Sequence, residues 1–434
     1  MESNDRRKED FDSPTLINYL RQDIPIEEIR DYSSSGRIGS IDFIKGFAII
    51  FIMLAHYAAV WLNNDWYFVY GLAFMLLDIL GPSLFIFLSA LSVVFTVKRK
   101  KGKLPEKVIR NRVFSRGIII MVIGVFINLT ETYYPFPLNL WGWNILFFMG
   151  FSQIFSYYAL KISKMPRAII GIFIIFLTPT IRAFLYNGKD TNLVISFFHF
   201  IITSANPSVT LLPWLSICFI APIFGEYLYE AMNEKSENTY KGLFRIFITW
   251  GIFLIFAGVI MGYTLQTLDT MNILEYGHLS LLGIANGQNY FHLPGMPDFL
   301  IRGTASNMLY DLGAALTIIA VAFYFIDIKG KSNNIVRMFT YYGKISLSLF
   351  MLHFIFMPLF VKQLNVYIFS IIVIANIGFL GFLMYIWIEY GKGIGSPEWL
   401  MVQIGRVGQK TGESIKKTSL VAVERTKQSI KKRE

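Results

Sequence analysis

The amino-acid sequence predicts an all-α, polytopic integral membrane protein, and its composition, its long apolar runs and its charge pattern support that prediction. Hydrophobic residues make up 54% of the 434 positions and charged residues 16%, whereas an average soluble domain is roughly 25% charged. This balance excludes most soluble folds. It also excludes disorder in the middle of the chain, because disorder needs low hydrophobicity and high charge density. Cys218 is the single cysteine, which excludes a disulfide scaffold.

Apolar runs of about 20 residues are long enough to cross about 30 Å of hydrocarbon as helices. About ten such spans are predicted, with an eleventh, weaker stretch at 192–204 that is expected to be either a re-entrant or interfacial segment or a buried helix. Residues 41–390 should form one transmembrane domain between an N-terminal segment, 1–40, and a basic tail, 391–434. The ten spans lie near 41–62, 69–97, 114–130, 141–160, 168–186, 208–230, 243–265, 305–326, 338–360 and 365–388.

The positions of Lys and Arg predict the orientation of these spans. With a cytoplasmic N-terminus, every Lys and Arg except Arg182, Lys189, Arg302 and Lys362 falls in a cytoplasmic segment, as expected because short cytoplasmic loops retain positive charge. Both termini are therefore expected in the cytoplasm. The bias also accounts for the net charge of +11 without a nucleic-acid partner. The expected setting is the plasma membrane, with membrane lipids as partners and a homodimer left open.

Ionisable side chains inside apolar spans mark candidate functional sites, because each costs several kcal/mol unless it is paired or faces a cavity. The candidates are His56, Asp78, Glu131 at the end of its span, Asp311 and His353. None belongs to a metal-ligand pattern, and no metal is expected. These five positions are therefore the first places to look for chemistry.

His56 and Asp78 are the candidate catalytic pair. The helical rise puts His56 about 17 Å above Lys45 and Asp78 about 28 Å above the inner end of its span, and a kink at Gly81-Pro82 would tip Asp78 inward. A neutral imidazole can take a proton from an attacking hydroxyl or amine, and a carboxylate on its other nitrogen would fix the tautomer. The alternative is a structural histidine bonded to a backbone carbonyl. His353, considered alone, is expected to be structural.

Arg110, Arg112 and Arg116 are the candidate donor-binding residues. They follow the densest positive charge of the chain, which begins at Lys98. A guanidinium binds phosphate bidentately, and Arg112 and Arg116 are four residues apart on one helical face. A phosphate-bearing donor such as acyl-CoA would therefore suit this segment, although membrane topology alone would place several of these charges here.

Several segments, in order, resemble polytopic membrane acyltransferases. The run from Arg37 to Tyr57, with Ser-Ile-Asp, Lys-Gly and then His, resembles the first span of these enzymes. Asp78 to Ala90 and Leu212-Pro-Trp-Leu resemble the heparan-α-glucosaminide N-acetyltransferase family, Gly343 to His353 is similar to a late span of several groups, and Ser396-Pro-Glu-Trp-Leu resembles the ending of a set of bacterial membrane proteins.

The resemblance implies an acyltransferase that moves an acyl group, expected to be acetyl, from cytoplasmic acyl-CoA to a hydroxyl or amine of a sugar or glycan at the outer face. The position of His56 resembles the histidine of the type-3 membrane acyltransferases. Asn63 to Leu77, where the lysosomal N-acetyltransferase carries its proposed active histidine, contains none. Two alternatives stay open: a proton-coupled transporter or flippase using His56, Asp78 and His353, and a non-catalytic membrane protein.

Overall fold

A computed structural model describes residues 38–102, 104–129, 136–204, 209–234, 236–273, 275–289, 291–401 and 403. Glu131 and the tail after residue 403 lie outside the described residues. The described part is almost entirely helical, apart from one short antiparallel pair of strands, β1 (Leu265–Gln266) and β2 (Met296–Pro297). The helical fold class that the sequence predicts is therefore confirmed.

Fourteen α-helices are described, in an order that follows the predicted apolar runs. They are α1 Gly39–Trp61, α2 Tyr67–Leu77, α3 Pro82–Lys100, α4 Glu106–Asn128, α5 Ile145–Ala159, α6 Lys164–Gly188, α7 Leu193–Thr203, α8 Leu211–Glu234, α9 Glu237–Met261, α10 Ser280–Ala285, α11 Ala305–Phe323, α12 Asn334–Lys344, α13 Ser346–Phe356 and α14 Val366–Glu389.

Among the described residues, seven helical segments are long and apolar enough to span a bilayer, or eight if a bent helix pair is one span. They are α1, α2 with α3, α6, α8, α9, α11 with its π-helical extension, and α14. The predicted number of about ten spans is therefore not confirmed. The predicted span 114–130 lies in α4, whose first half carries Arg112 and Arg116, and the predicted span 141–160 contains α5, which has 15 residues.

The predicted span 338–360 is broken. Helices α12 and α13 meet at Ile345 with a bend of 85°. Gly343 lets α12 cross closely over α1, since a Cβ atom there would lie 1.8 Å from the carbonyl oxygen of Asp42. Both halves pack against α1, and the part from Ser346 onwards carries His353.

The candidate re-entrant stretch 192–204 forms the short helix α7. Leu193 is 89% exposed, and Val194, Phe197 and Phe198 are also exposed. Such exposure contradicts the buried-helix alternative. An apolar surface facing outwards fits an interfacial segment.

The centre of the bundle is formed by α3, α8 and α11, most of whose residues are buried, with α1 packed against α3 and α11. By contrast, α6, α9 and α14 expose apolar side chains such as Phe253, Phe256, Ile371 and Phe382. In a bilayer those side chains would contact lipid tails at little cost. The exposed faces and the helix lengths make the protein an integral membrane protein.

The two ends of the bundle differ. One end, called the basic end here, carries Lys45, Lys100 and Lys344. At the opposite end, the connection between α9 and α11 packs α10 against α2 and closes over the bundle. Arg182, fully buried in α6, donates from Nη1 to the Gly303 carbonyl at 3.1 Å and also bonds the Glu275 carbonyl. The connection is thereby anchored to a membrane helix.

Candidate active site

His56 and His353 form a hydrogen-bonded pair inside the bundle. The Nδ1 atom of His56 lies 2.8 Å from the Nε2 atom of His353. His56 is half-buried in α1, whereas His353 in α13 is fully buried. Tyr57 donates from its hydroxyl to the His353 carbonyl at 3.3 Å, and Trp61 donates from Nε1 to the Met357 carbonyl at 2.8 Å. These contacts attach α13 to α1 along two turns.

The surroundings of His353 favour one tautomer of the pair. The carbonyls of Leu349 and Phe350 interact with the His353 ring, although Nδ1 of His353 makes no hydrogen bond of good geometry with any described residue. Carbonyl oxygens favour a proton on that Nδ1. Nε2 of His353 then accepts the proton of His56 Nδ1, and His56 Nε2 keeps its lone pair, as a general base requires.

Asp78 has different partners from those predicted. Its carboxylate accepts from Nε of Arg302 at 2.9 Å and from Nη2 of the same side chain. His278 Nε2 lies 3.6 Å from Asp78 Oδ2. The predicted pairing of Asp78 with His56 is therefore corrected: the nitrogen of His56 that a carboxylate was expected to orient is bonded to His353.

The predicted break at Gly81-Pro82 explains where Asp78 lies. The helix is interrupted by a 3₁₀ turn at Asp78–Leu80, and α3 restarts with Pro82 at its first turn, a position where proline lacks only an unneeded donor. A Cβ atom on Gly81 would lie 3.3 and 3.4 Å from Ile52 and Phe51 of α1. Asp78 is thus close to the level of His56 but faces Arg302.

Arg302 and His278 belong to the connection that closes the opposite end. Burial lowers the pKa of His278 to about 4, with Asp78 opposing the shift and Arg302 adding to it. His278 is therefore neutral near pH 7. Its Nδ1 faces the Arg302 backbone N–H at 3.5 Å, which places the ring proton on Nε2, towards Asp78. Arg302 also acts electrostatically on His56, so the connection contributes to the surroundings of the histidine pair.

A cavity of about 230 Å³ opens at the basic end of the bundle. It is bounded by α1, α3, α4, α5, the α12–α13 break and the segment after α14. Ser89 and Gln153 meet in its wall, where Gln153 Nε2 donates to Ser89 Oγ at 3.2 Å. Cationic side chains dominate its polar lining: Lys45, Arg99, Lys100, Arg112, Arg116 and Lys344, against the two carboxylates of Asp42 and Glu398. An excess of cations at a concave surface favours a polyanionic ligand.

Two of the three predicted donor-binding arginines line this cavity. Arg112 and Arg116 lie on the cavity side of α4, as their spacing predicts. Arg110 is exposed and does not line the cavity. Residues two positions apart lie on different sides of a helix, so Arg110 cannot share the face of Arg112. The lysines of this segment were weaker candidates for donor binding, since membrane topology alone explains positive charge there.

The ionisable side chains of the site are known for the part of the chain that the structure describes. There, no three His, Cys, Asp or Glu side chains are grouped so that they could hold a metal ion. The ionisable groups of the site are the histidine pair, Asp78 with Arg302 and His278, and the six cations and two carboxylates of the cavity. This set suits proton transfer and phosphate binding.

Comparison with known proteins gives one family. The family described as "Heparan-alpha-glucosaminide N-acetyltransferase, catalytic" matches residues 37–256, half of the chain, including His56, Asp78 and the arginines of α4. No curated protein and no solved structure gives a significant match. The resemblance seen in the sequence is confirmed. The chain belongs to the heparan-α-glucosaminide N-acetyltransferase family, whose catalytic region it contains.

Proposed function

We propose that the protein is a membrane acetyltransferase that takes an acetyl group from cytoplasmic acetyl-CoA and delivers it to a hydroxyl or amine of a sugar or glycan on the other side of the membrane. The observation that carries this proposal is that the His56–His353 pair and the cation-lined cavity share helix α1. Membership of an acetyltransferase family supports the same reaction class.

The proposal places the basic end of the bundle in the cytoplasm and the α9–α11 connection outside. The positive charge of the basic end supports this orientation. Cysteine labelling tests it cleanly, because the only native cysteine, Cys218, is buried. The variant His292→Cys should react with an impermeant maleimide in intact cells. The variant Glu237→Cys should react only after permeabilisation. The reverse pattern would contradict the orientation.

The cavity would hold the phosphates of the donor. Arg112 and Arg116 on α4 face Lys45 on α1 and Lys344 beside the α12–α13 break, so phosphate groups would be approached from three sides. The rise from Lys45 to His56 is about 17 Å. An extended pantetheine arm can cover a distance of that order, which would bring a thioester from the cavity towards His56.

The chemistry then follows from the tautomer of the pair. Nε2 of His56 takes the proton of the acceptor hydroxyl or amine as its oxygen or nitrogen attacks the thioester carbonyl carbon. The resulting imidazolium is stabilised by the hydrogen bond from its Nδ1 to His353. The carbon–sulfur bond breaks, and the thiolate of CoA recovers the proton from His56. Base and acid are thus the same atom, which general acid–base catalysis allows.

Radiolabelled acetyl-CoA tests the function directly. Membranes containing the protein, supplied with a total glycan extract, should transfer label to the glycan fraction above the level of membranes without it. Liposomes containing the purified protein distinguish the transporter alternative. Proton-coupled flux without transfer of label would contradict the enzyme proposal, and so would the absence of both activities.

A further inference from the structure

The chain reverses direction after α14 and inserts Glu398 into the basic end of the bundle. Three residues of the turn have positive φ: Lys392 at 51°, Gly393 at 60° and Gly395 at 82°. Glycine adopts such angles without a steric penalty. Ser396 Oγ then accepts from the Trp399 backbone N–H at 3.1 Å. The side chain of Glu398 ends up buried, although Glu is rarely buried without partners.

The partners of Glu398 are in the first turn of α13. Its Oε1 accepts from the backbone N–H of Leu347 at 3.1 Å and of Ser348 at 3.0 Å, and its Oε2 accepts from the Ser348 hydroxyl. The N–H groups at a helix start have no partner within the helix, and a negative charge is favourable there. Glu398 therefore supplies the cap that α13 needs where it departs from α12.

This cap lies on the helix that carries His353. Ser348 precedes His353 by five residues, a rise of about 8 Å. Because the backbone bends by 85° at Ile345, α12 does not continue into α13 and cannot fix its direction by helical hydrogen bonds. The start of α13 is fixed by Glu398, and its middle is fixed at His56 and Tyr57.

We propose that Glu398 is a positioning residue, which holds the first turn of α13 so that His353 Nε2 stays within hydrogen-bond distance of His56 Nδ1. The proposal rests on the proposed function for its kinetic consequence, since His56 is the base there. Its geometric consequence, the burial of His353, does not depend on that function. The two are tested separately.

Glu398 also lines the cavity, so a purely local effect on donor binding has to be separated from positioning. Removing a carboxylate from a cation-lined cavity would strengthen the binding of a polyanion and lower the KM for acetyl-CoA without changing kcat. A positioning role predicts a fall in kcat instead. Glu398→Gln keeps an oxygen that accepts the N–H groups of Leu347 and Ser348, whereas Glu398→Ala removes every acceptor.

The first measurement is the steady-state kinetics of acetyl transfer. We expect Glu398→Ala to lower kcat roughly tenfold, the scale of a lost hydrogen bond to a charged group, and Glu398→Gln to recover most of it. Glu237→Gln is the matched control, an exposed carboxylate in the first turn of α9, and should leave kcat and KM unchanged. A lower KM with unchanged kcat in Glu398→Ala would overturn the proposal.

The second measurement needs no catalytic activity. Diethyl pyrocarbonate modifies accessible neutral imidazoles, and mass spectrometry reports each histidine separately. In Glu398→Ala, modification of His353 should rise several-fold relative to His292, which is exposed and serves as the internal reference. Glu398→Gln should stay near wild type. Unchanged modification of His353 in Glu398→Ala would overturn the proposal even if kcat fell.

The pair of measurements distinguishes the possible failures. A wild-type protein without acetyl transfer, in which Glu398→Ala still exposes His353, would refute the function and keep the positioning role. If Glu398→Ala is not recovered as a monodisperse protein, Ser348→Ala replaces it, because that change removes only the hydroxyl donor. A smaller rise in His353 modification supports the proposal, and no rise overturns it.

Discussion

The Nε2 atom of His353 lies 2.8 Å from the Nδ1 atom of His56, although 297 positions separate the two residues in the chain. In the proposed reaction, this contact makes the two intramembrane histidines one proton-handling unit. It also gives His353, expected to be structural when considered alone, the role that the sequence had assigned to Asp78.

The first prediction concerns the chemistry of that contact. His353→Ala leaves Nδ1 of His56 without its acceptor and should lower kcat roughly 5- to 100-fold, the equivalent of about 1–3 kcal/mol for an unsatisfied buried donor. His353→Gln offers an amide oxygen to the same proton and should retain more activity. Acetyl-transfer assays on both variants check this, and equal losses would show that the acceptor at this position is irrelevant.

The second prediction separates the arginines of α4. Arg112→Ala and Arg116→Ala should each weaken CoA binding by roughly 10- to 100-fold, as expected for a charge-assisted hydrogen bond of about 1.5–3 kcal/mol. Arg110→Ala, on the exposed side of the same helix, should change binding little. Calorimetry on detergent-solubilised protein measures all three. A loss in Arg110→Ala as large as in the other two would contradict a donor site in the cavity.

The third prediction tests what Asp78 does. Asp78→Ala leaves the guanidinium of Arg302 without this partner and should destabilise the protein by roughly 2–4 kcal/mol, since breaking an ion pair that is shielded from water is costly, although this pair is only partly buried. The double variant Asp78→Ala/Arg302→Ala should be less destabilised than the sum of the two single changes. Thermal unfolding in detergent checks both. A fully stable Asp78→Asn variant without acetyl transfer would instead restore Asp78 to the chemistry.

The fourth prediction is a pH dependence that arises from His278. Burial lowers its folded pKa to about 4 from 6.5, so a proton binds the unfolded chain more tightly than the folded protein. The contribution of neutral His278 to the free energy of unfolding is fully present above pH 6.5 and is lost as the pH falls towards 4. The loss amounts to at most about 3 kcal/mol. Melting curves of wild type and His278→Gln across this range should converge at low pH. Parallel curves would refute the assignment.

The fold was predictable from sequence wherever the chemistry of a residue itself decides whether a helix forms or breaks. Apolar runs predicted membrane helices because lipid burial demands continuous hydrophobicity, and Gly81-Pro82 predicted the break before α3. The bend at Ile345 was missed, since Tyr342 to Ile345 contains no proline and the span was taken to run through Gly343 and Lys344. Glu398, fifty residues later in the chain, accepts the backbone N–H groups at the start of the second helix.

The sequence predicted how far along their helices the site residues lie, but not which neighbours their side chains face. Helical rise gave depths for His56 and Asp78, but it carries no information on which way each side chain faces. The packing of α13 on α1 turns His353 towards His56, and Asp78 faces Arg302. Arg302 was among the few basic residues assigned to the outer side, and this exception to the charge pattern was the available sign of a partly buried ion pair.

The central claim, that His56 is the base of an acetyl transfer, is tested most directly by comparing label transfer from radiolabelled acetyl-CoA in wild type and His56→Ala, with CoA binding measured on the same preparations. We predict that transfer falls by 10²- to 10⁴-fold, the usual contribution of a general base, while CoA affinity is unchanged because the cations of the cavity are about 17 Å away along α1. Equal transfer by both proteins would contradict the account.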